Sequence, residues 1–113
     1  MRKTRVLIVE DETIIALDVQ GILAGLGYEV VGIASTGEAA VQKALSLKPD
    51  IILMDILLAG QMDGIDAARE IRKSHDIPII YLTANADRAT VDRAHDTQPY
   101  AYLNKPIHER DLY

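Results

Sequence analysis

Five polar residues that end or directly follow apolar runs suggest which chemistry this sequence could perform: Glu10, Asp11, Asp55, Thr83 and Lys105. Three carboxylates brought together repel one another and must be neutralised by protons or by a cation. Oxygen ligands without histidine or cysteine favour a hard cation, and a small site that keeps bound waters favours Mg²⁺ over Ca²⁺. Beside such a cation an aspartate is a nucleophile towards phosphoryl groups, while the Lys105 ammonium and the Thr83 hydroxyl could bind the phosphoryl oxygens. The residue types therefore predict Mg²⁺-assisted phosphoryl transfer. The alternative is a structural salt-bridge cluster of Lys105 with the acids, which would leave negative charge uncompensated.

Five short apolar runs predict the strands that would position these residues. They cover residues 6–9, 30–34, 51–54, 79–82 and 100–103. Runs that are short and do not alternate with polar residues are typical of strands buried on both faces of a parallel sheet.

Stretches with helical spacing lie between the runs. The first carries an apolar stripe over residues 15–26, and the second opens with a capping-box pattern at 35–38. The third comes after the pair Asp63-Gly64, the fourth covers about residues 87–96, and a fifth helix begins near Ile107. Gly27 is a natural end for the first helix, and the second runs to about Ser46. Strict alternation of strands and helices predicts an α/β fold, a doubly wound five-stranded parallel sheet in an α/β/α sandwich. Because the last helix is cut short at Tyr113, we expect a single domain, residues 1–113, that is a fragment of a longer multidomain protein.

The fold class also predicts where a ligand would bind. Open parallel sheets bind ligands outside the carboxyl ends of their strands, at the point where the strand order reverses. A common order of doubly wound sheets, 2-1-3-4-5, makes strands 1 and 3 neighbours; with this order assumed, Glu10, Asp11 and Asp55 would meet in one crevice.

Composition excludes several other classes of protein. The 113 residues contain no cysteine, so disulfides, thiolate zinc sites and a cysteine nucleophile are excluded, and a reducing cytoplasmic location is expected. The net charge of −5, with scattered basic residues, argues against direct nucleic-acid binding. No run is long enough for a signal peptide or a membrane span.

Taken together, the motifs resemble those of the response-regulator receiver family of two-component signal transduction. The matching segments are residues 9–11 (Val-Glu-Asp), 53–56 (Leu-Met-Asp-Ile), 62–64 (Met-Asp-Gly), 82–84 (Leu-Thr-Ala) and 102–106 (Tyr-Leu-Asn-Lys-Pro). All five occur in order, each at its predicted place, and the resemblance covers essentially the whole chain.

The resemblance implies roles for the acids. Asp55 would be the phosphoacceptor. Asp11 would bind Mg²⁺ together with Asp55 and the backbone carbonyl of Leu57, while Glu10 would act mainly through a bound water. The pair Glu10-Asp11 stands where Asp-Asp is also common, and the loop of residues 56–61 looks one residue longer than usual and lacks its proline.

The resemblance also implies a switch rather than an enzyme with turnover, although one that assists its own phosphorylation and dephosphorylation. Thr83 would bind the phosphoryl group and report its presence, Lys105 would pair with it, and Tyr102 would be the aromatic switch. Leu57 and Asn85 would flank the phosphate and set its lifetime; the apolar Leu57 should hinder an attacking water and slow the loss of phosphate.

The implied partners are a sensor histidine kinase or phosphotransfer domain as donor and an output domain, either in the same chain or separate. Three rival functions share parts of this pattern. A phosphatase of the haloacid dehalogenase type needs a second acid where this chain has Leu57, and a flavodoxin-like electron carrier needs a Ser/Thr/Gly-rich loop after the first strand. The third is a phosphate-independent, receiver-like protein-interaction module, against which the intact set of site residues argues.

Overall fold

The computed structural model describes residues 3–58, 60–83 and 88–105, without the side chain of Arg88. Within these ranges strands and helices alternate strictly, as predicted. The strands are β1 (Arg5–Val9), β2 (Glu29–Ala34), β3 (Ile51–Asp55), β4 (Ile79–Thr83) and β5 (Ala101–Asn104). The helices are α1 (Thr13–Gly25), α2 (Gly37–Leu47), α3 (Gly64–Arg72) and α4 (Arg88–His95).

The five strands form one parallel sheet in the order β2-β1-β3-β4-β5, which confirms the order assumed from the fold class. The chain moves outward from β1 to β2 and then returns to β3 on the other side of β1. The order therefore reverses between β1 and β3, and a crevice opens at their carboxyl ends.

The hydrophobic core lies on both faces of the sheet, so the predicted sandwich is confirmed for the described residues. On one face α2 and α3 contribute the buried residues Ala40, Ala44, Ile65, Ala67, Ala68 and Ile71. On the other face α1 contributes Ala16, Val19 and Leu23. Burial of apolar surface on both faces makes the sheet rigid, so polar side chains at the strand ends have well-defined positions.

One prediction about the helix starts was wrong. The second helix has no capping box at residues 35–38: its N-cap is Thr36, whose Oγ1 accepts from the backbone N–H of Ala39 at 3.1 Å. A capping box needs an acid or amide three residues after the cap, and this position holds alanine. The box belongs instead to α3, where the Asp63 carboxylate accepts from the N–H of Asp66 at 2.8 Å and the Asp66 carboxylate accepts from the N–H of Asp63 at 3.2 Å.

The end of α1 is as predicted, because Gly27 adopts a left-handed φ of 92° directly after the Leu26 cap. The fifth helix expected near Ile107 and the residue Asn85 lie outside the described ranges. Among the helices of the described ranges, none combines the length and the apolar character that crossing a bilayer requires.

Candidate functional site

The three carboxylates predicted to form a site converge at the carboxyl ends of β1 and β3. Val9 pairs with Met54 in the sheet, so the next residues, Glu10 and Asp55, stand at the same level. Together with Asp11, which follows in the loop, they place one carboxylate oxygen each within 4.8 Å of the others. Glu10 and Asp55 are buried, and Asp11 is the most accessible of the three.

Lys105 reaches the same point from β5. Thr83 pairs with Asn104, and the backbone N–H of Lys105 donates to the Thr83 carbonyl at 2.9 Å. The Lys105 Nζ donates to Asp55 Oδ2 at 2.9 Å and lies 2.6 Å from Glu10 Oε1. The second contact falls outside hydrogen-bonding angles and is an ion pair. Burial opposes the charge on Lys105, but the carboxylates of Glu10 and Asp55 outweigh it and raise the pKa of the ammonium above its usual value. Lys105 is therefore charged at neutral pH.

The site fits a hard divalent cation. Three carboxylates and one ammonium leave an excess of negative charge, part of it buried, and every candidate ligand atom is an oxygen. The site opens into a cleft of about 240 Å³. In the described ranges, the cleft is lined by Asp11, Glu12, Asp55, Ile56, Leu57, Thr83 and Lys105. Of the three grouped carboxylates, Asp11 and Asp55 face the space in which a cation would bind.

The Asp55 carboxylate is held at both oxygens. Oδ1 accepts from the backbone N–H of Leu57 at 3.3 Å, and Oδ2 accepts from Lys105. Thr83, the last residue of β4, is 6% exposed and lines the same cleft. The Leu57 side chain, by contrast, is 65% exposed at the mouth of the cleft, next to the carboxylate. The structure thus brings Glu10, Asp11, Asp55, Thr83 and Lys105 together at one edge of the sheet, with Leu57 beside them.

Gly64 also shapes the site, a part that the sequence motifs did not predict. The backbone N–H of this first residue of α3 donates to the Ile56 carbonyl at 2.9 Å. A Cβ at position 64 would overlap the Asp55 carbonyl oxygen. Glycine is required here because α3 begins in direct contact with the backbone of Asp55; the sequence signals this glycine through the Met-Asp-Gly segment, residues 62–64, in which it follows the helix cap.

Tyr102 lies beside Tyr81, with ring centroids 5.9 Å apart and a tilt of 31°. Tyr102 is 38% exposed, whereas Tyr81 is buried. The Thr97 hydroxyl donates its one hydrogen to the Ala94 carbonyl at 2.6 Å, so the Tyr81 hydroxyl must be the donor in its 2.6 Å bond to Thr97 Oγ1. Burial raises the pKa of Tyr81 to about 12, although its hydrogen bond to Thr97 opposes the shift.

This hydrogen-bonded chain ties the end of α4 to β4, and no pattern in the sequence indicates it. A second tie, also missed, joins α4 to α3. Arg93 donates to Asp63 Oδ2 at 3.1 Å and to Asp66 Oδ1 at 3.3 Å, so one guanidinium spans both carboxylates of the α3 capping box. Among residues 89–95 the only buried one is Ala94. Helix α4 therefore depends on a few contacts.

Comparison with known proteins agrees with this geometry. The family model described as "Response regulator receiver domain" matches residues 6–113. The transcriptional regulatory protein PdtaR of Mycobacterium tuberculosis is 46% identical over 108 residues, which cover 96% of this chain and 52% of PdtaR. The chain thus spans about half the length of this relative.

Two solved structures are also similar. The signal receiver domain of a modulated diguanylate cyclase from Desulfovibrio desulfuricans superposes with a TM-score of 0.93 at 40% identity, covering 98% of this chain and 88% of that one. The receiver domain of the sensor histidine kinase PA1611 from Pseudomonas aeruginosa, described with a magnesium ion coordinated in its active site cleft, gives a TM-score of 0.87 at 34% identity and covers 98% and 92% of the two chains. With the sheet order, the acidic cleft and these matches in agreement, the chain belongs to the response-regulator receiver domain family.

Proposed function

We propose that this chain is a phosphorylation switch whose acceptor is Asp55 and whose donor is a phosphohistidine of a sensor histidine kinase or phosphotransfer domain. The observation that supports this most strongly is the setting of the Asp55 carboxylate. It faces the cleft at the end of the central strand, is fixed at both oxygens, and lies against the charged Lys105. In the transfer an Asp55 oxygen forms a bond to phosphorus while the bond between phosphorus and the histidine nitrogen breaks, and the electron pair returns to the imidazole.

The residues around Asp55 would bind the metal ion and the phosphoryl oxygens. Asp11, Asp55 and the Leu57 carbonyl would hold Mg²⁺, which when bound supplies positive charge to the phosphoryl oxygens. Lys105 would neutralise a further phosphoryl oxygen, and the Thr83 hydroxyl would donate to another. Self-dephosphorylation, in which the chain again assists, would be slow because Leu57 places an apolar side chain at the cleft mouth.

The switch would run from Thr83 to Tyr102. Phosphorylation adds about −1.5 to −2 charges and three acceptor oxygens, which would draw the Thr83 hydroxyl towards Asp55. Tyr102, which is 38% exposed, would then move inward beside Tyr81. Turning a population from 1:99 to 99:1 needs about 5.5 kcal/mol of differential stabilisation, which several charge-assisted hydrogen bonds can supply. The few contacts of α4 make it the element that would shift.

The donor would dock on α1 beside the cleft. Ile14 is 84% exposed and Leu17 is 56% exposed, and α1 begins directly after the acidic loop. These two apolar side chains would contact a helix of the kinase or phosphotransfer domain. The switch would act on an output domain, either in the same polypeptide or in a separate one. The chain would act in the cytoplasm and make no direct contact with nucleic acid.

The experiment is incubation of the chain with Mg²⁺ and acetyl phosphate, followed by intact-mass measurement. We expect one added phosphoryl group on the wild type and none on Asp55→Asn, a control that keeps the shape of the side chain and removes the nucleophile. Addition of EDTA should abolish the adduct in the wild type. If the wild type takes up no phosphoryl group, the chain is instead a phosphate-independent interaction module.

A further inference from the structure

Glu10 differs from the other two carboxylates in where it lies. Its side chain is 1% exposed, against 6% for Asp55. Among the described residues, Glu10 is not one of those lining the cleft, while Asp11 and Asp55 are. Its backbone N–H donates to the Ala34 carbonyl of β2 at 2.9 Å, which fixes it to the floor of the site. Glu10 thus lies behind the position in which a cation and a phosphoryl group would bind.

Both Glu10 oxygens are engaged within the protein. Oε2 accepts from the backbone N–H of Glu12 at 3.2 Å, and Oε1 lies 2.6 Å from Lys105 Nζ. This contact is shorter than the 2.9 Å between Lys105 and Asp55. Among the described residues Lys105 therefore has two carboxylate partners, of which Glu10 is the nearer and the more buried.

We propose that Glu10 is a positioning residue for Lys105 rather than a ligand of the metal ion. Asp11 and Asp55 would hold the metal, and Glu10 would keep the Lys105 ammonium beside Asp55. The inference rests on the proposed function, since Lys105 matters there as the group that meets the phosphoryl oxygens.

The need for such a residue follows from the charges. An Asp55 carboxylate that binds a divalent cation attracts Lys105 less strongly than the free carboxylate does, until the phosphoryl oxygens arrive. Lysine has a long, flexible stem and a strongly hydrated charge, so without a second partner it would turn to solvent. Glu10 supplies that partner, because its carboxylate is buried and is not displaced when the cleft is filled. A glutamate also reaches one methylene farther than an aspartate at the same strand end.

The first test is a crystal structure of the wild type with Mg²⁺. We expect Glu10 Oε1 to remain within about 3 Å of Lys105 Nζ, the range of a charge-assisted contact, with no Glu10 oxygen bound to the ion. A Glu10 oxygen at about 2.0–2.1 Å from Mg²⁺, the distance of direct ligation, would overturn the inference.

The second test is a double-mutant cycle on the rate of phosphorylation by acetyl phosphate at saturating Mg²⁺. Methionine replaces each partner with an uncharged side chain of similar length, which cannot form the ion pair. Glu10→Met should lower the rate about tenfold or more, since displacement of a reacting group by 1 Å can cost about 100-fold. In a Lys105→Met background the same change should have no further effect, because Glu10 acts only through Lys105. Losses that multiply would overturn the inference.

Glu29→Gln is the matched control. It removes one carboxylate at the exposed start of β2, the opposite end of the sheet, and should leave the rate within about twofold of the wild type. The two proposals can fail separately. A wild type that forms no adduct would refute the proposed function, whereas the crystal structure with Mg²⁺ decides the place of Glu10 without any phosphorylation.

Discussion

Replacement of Gly64 by alanine should impair both the stability of the fold and the position of the phosphoacceptor. The added Cβ would overlap the Asp55 carbonyl oxygen and lie 2.9 Å from the Asp55 carbonyl carbon and 3.0 Å from the Ile56 Cα. All three are backbone atoms of β3 or the residue after it, so no flexible side chain can move aside. The described glycines with left-handed φ are Gly27 and Gly60, so at position 64 alanine is disfavoured by contact alone and not by backbone conformation.

The expected magnitude combines two opposing effects. Overpacking of a tightly packed site costs about 1–3 kcal/mol. Alanine forms helix better than glycine by up to about 1 kcal/mol, which offsets part of that cost. We therefore expect the free energy of unfolding to fall by about 1–2 kcal/mol. A displacement of Asp55 on the order of 1 Å should lower the rate of phosphorylation about 100-fold.

Urea denaturation without Mg²⁺ measures the first quantity, and the rate of adduct formation with acetyl phosphate measures the second. The matched control is Gly21→Ala in α1, where an added Cβ meets no atom within 4 Å. That variant should be more stable than the wild type by about 0.5–1 kcal/mol and should be phosphorylated normally. A Gly64→Ala protein that gains stability as Gly21→Ala does would refute the steric reasoning.

Four further outcomes are expected. Leu57→Asn should lose its phosphate faster than the wild type, because an amide at the cleft mouth can orient a water; equal half-lives of the two adducts would contradict this. Tyr102→Ala should still be phosphorylated, but phosphorylation should no longer change the rate of amide hydrogen exchange in α4. If the variant shows the same change in exchange as the wild type, Tyr102 is not part of the switch. Because the pKa of Tyr81 is about 12 in the fold and 10.0 without it, the stability it contributes is present below pH 10 and is lost as pH rises towards 12. Phenolate absorbance should show this late titration, and Tyr81→Phe should remove it; an unchanged titration curve would mean that the late-titrating group is not the buried Tyr81. Arg93→Gln should cost about 0.5–1 kcal/mol at low salt and less at high salt, since its ion pairs are partly exposed. Arg69→Gln is the control and should cost less, because the ion pair of Arg69 with Asp66 is 3.9 Å long.

Much of this protein could be predicted from the sequence, because the features concerned are local or repeat along the chain. Short unalternating apolar runs separated by helical stretches determined the class of sheet, and polar residues at the run ends identified Glu10, Asp11, Asp55, Thr83 and Lys105 as one group. Their meeting followed once a common strand order was assumed, since in a parallel sheet all carboxyl ends lie on one edge. The roles of individual residues came from family resemblance rather than from the pattern itself.

Only the tertiary structure showed how the members of the group are paired. Which carboxylates Lys105 contacts depends on side-chain reach across three strands, and no spacing in the sequence encodes that distance. The same holds for the contact of Gly64 with Asp55, the buried bond between Tyr81 and Thr97, and the span of Arg93 across the α3 capping box. Each joins segments that approach only after the helices pack on the sheet. The sequence by itself determined which chemical groups lie at the cleft, because the spacing of apolar residues and the positions of the strand ends are local features of the chain. Packing decided which of these groups contact one another, because the distances between them depend on elements that are far apart in the chain.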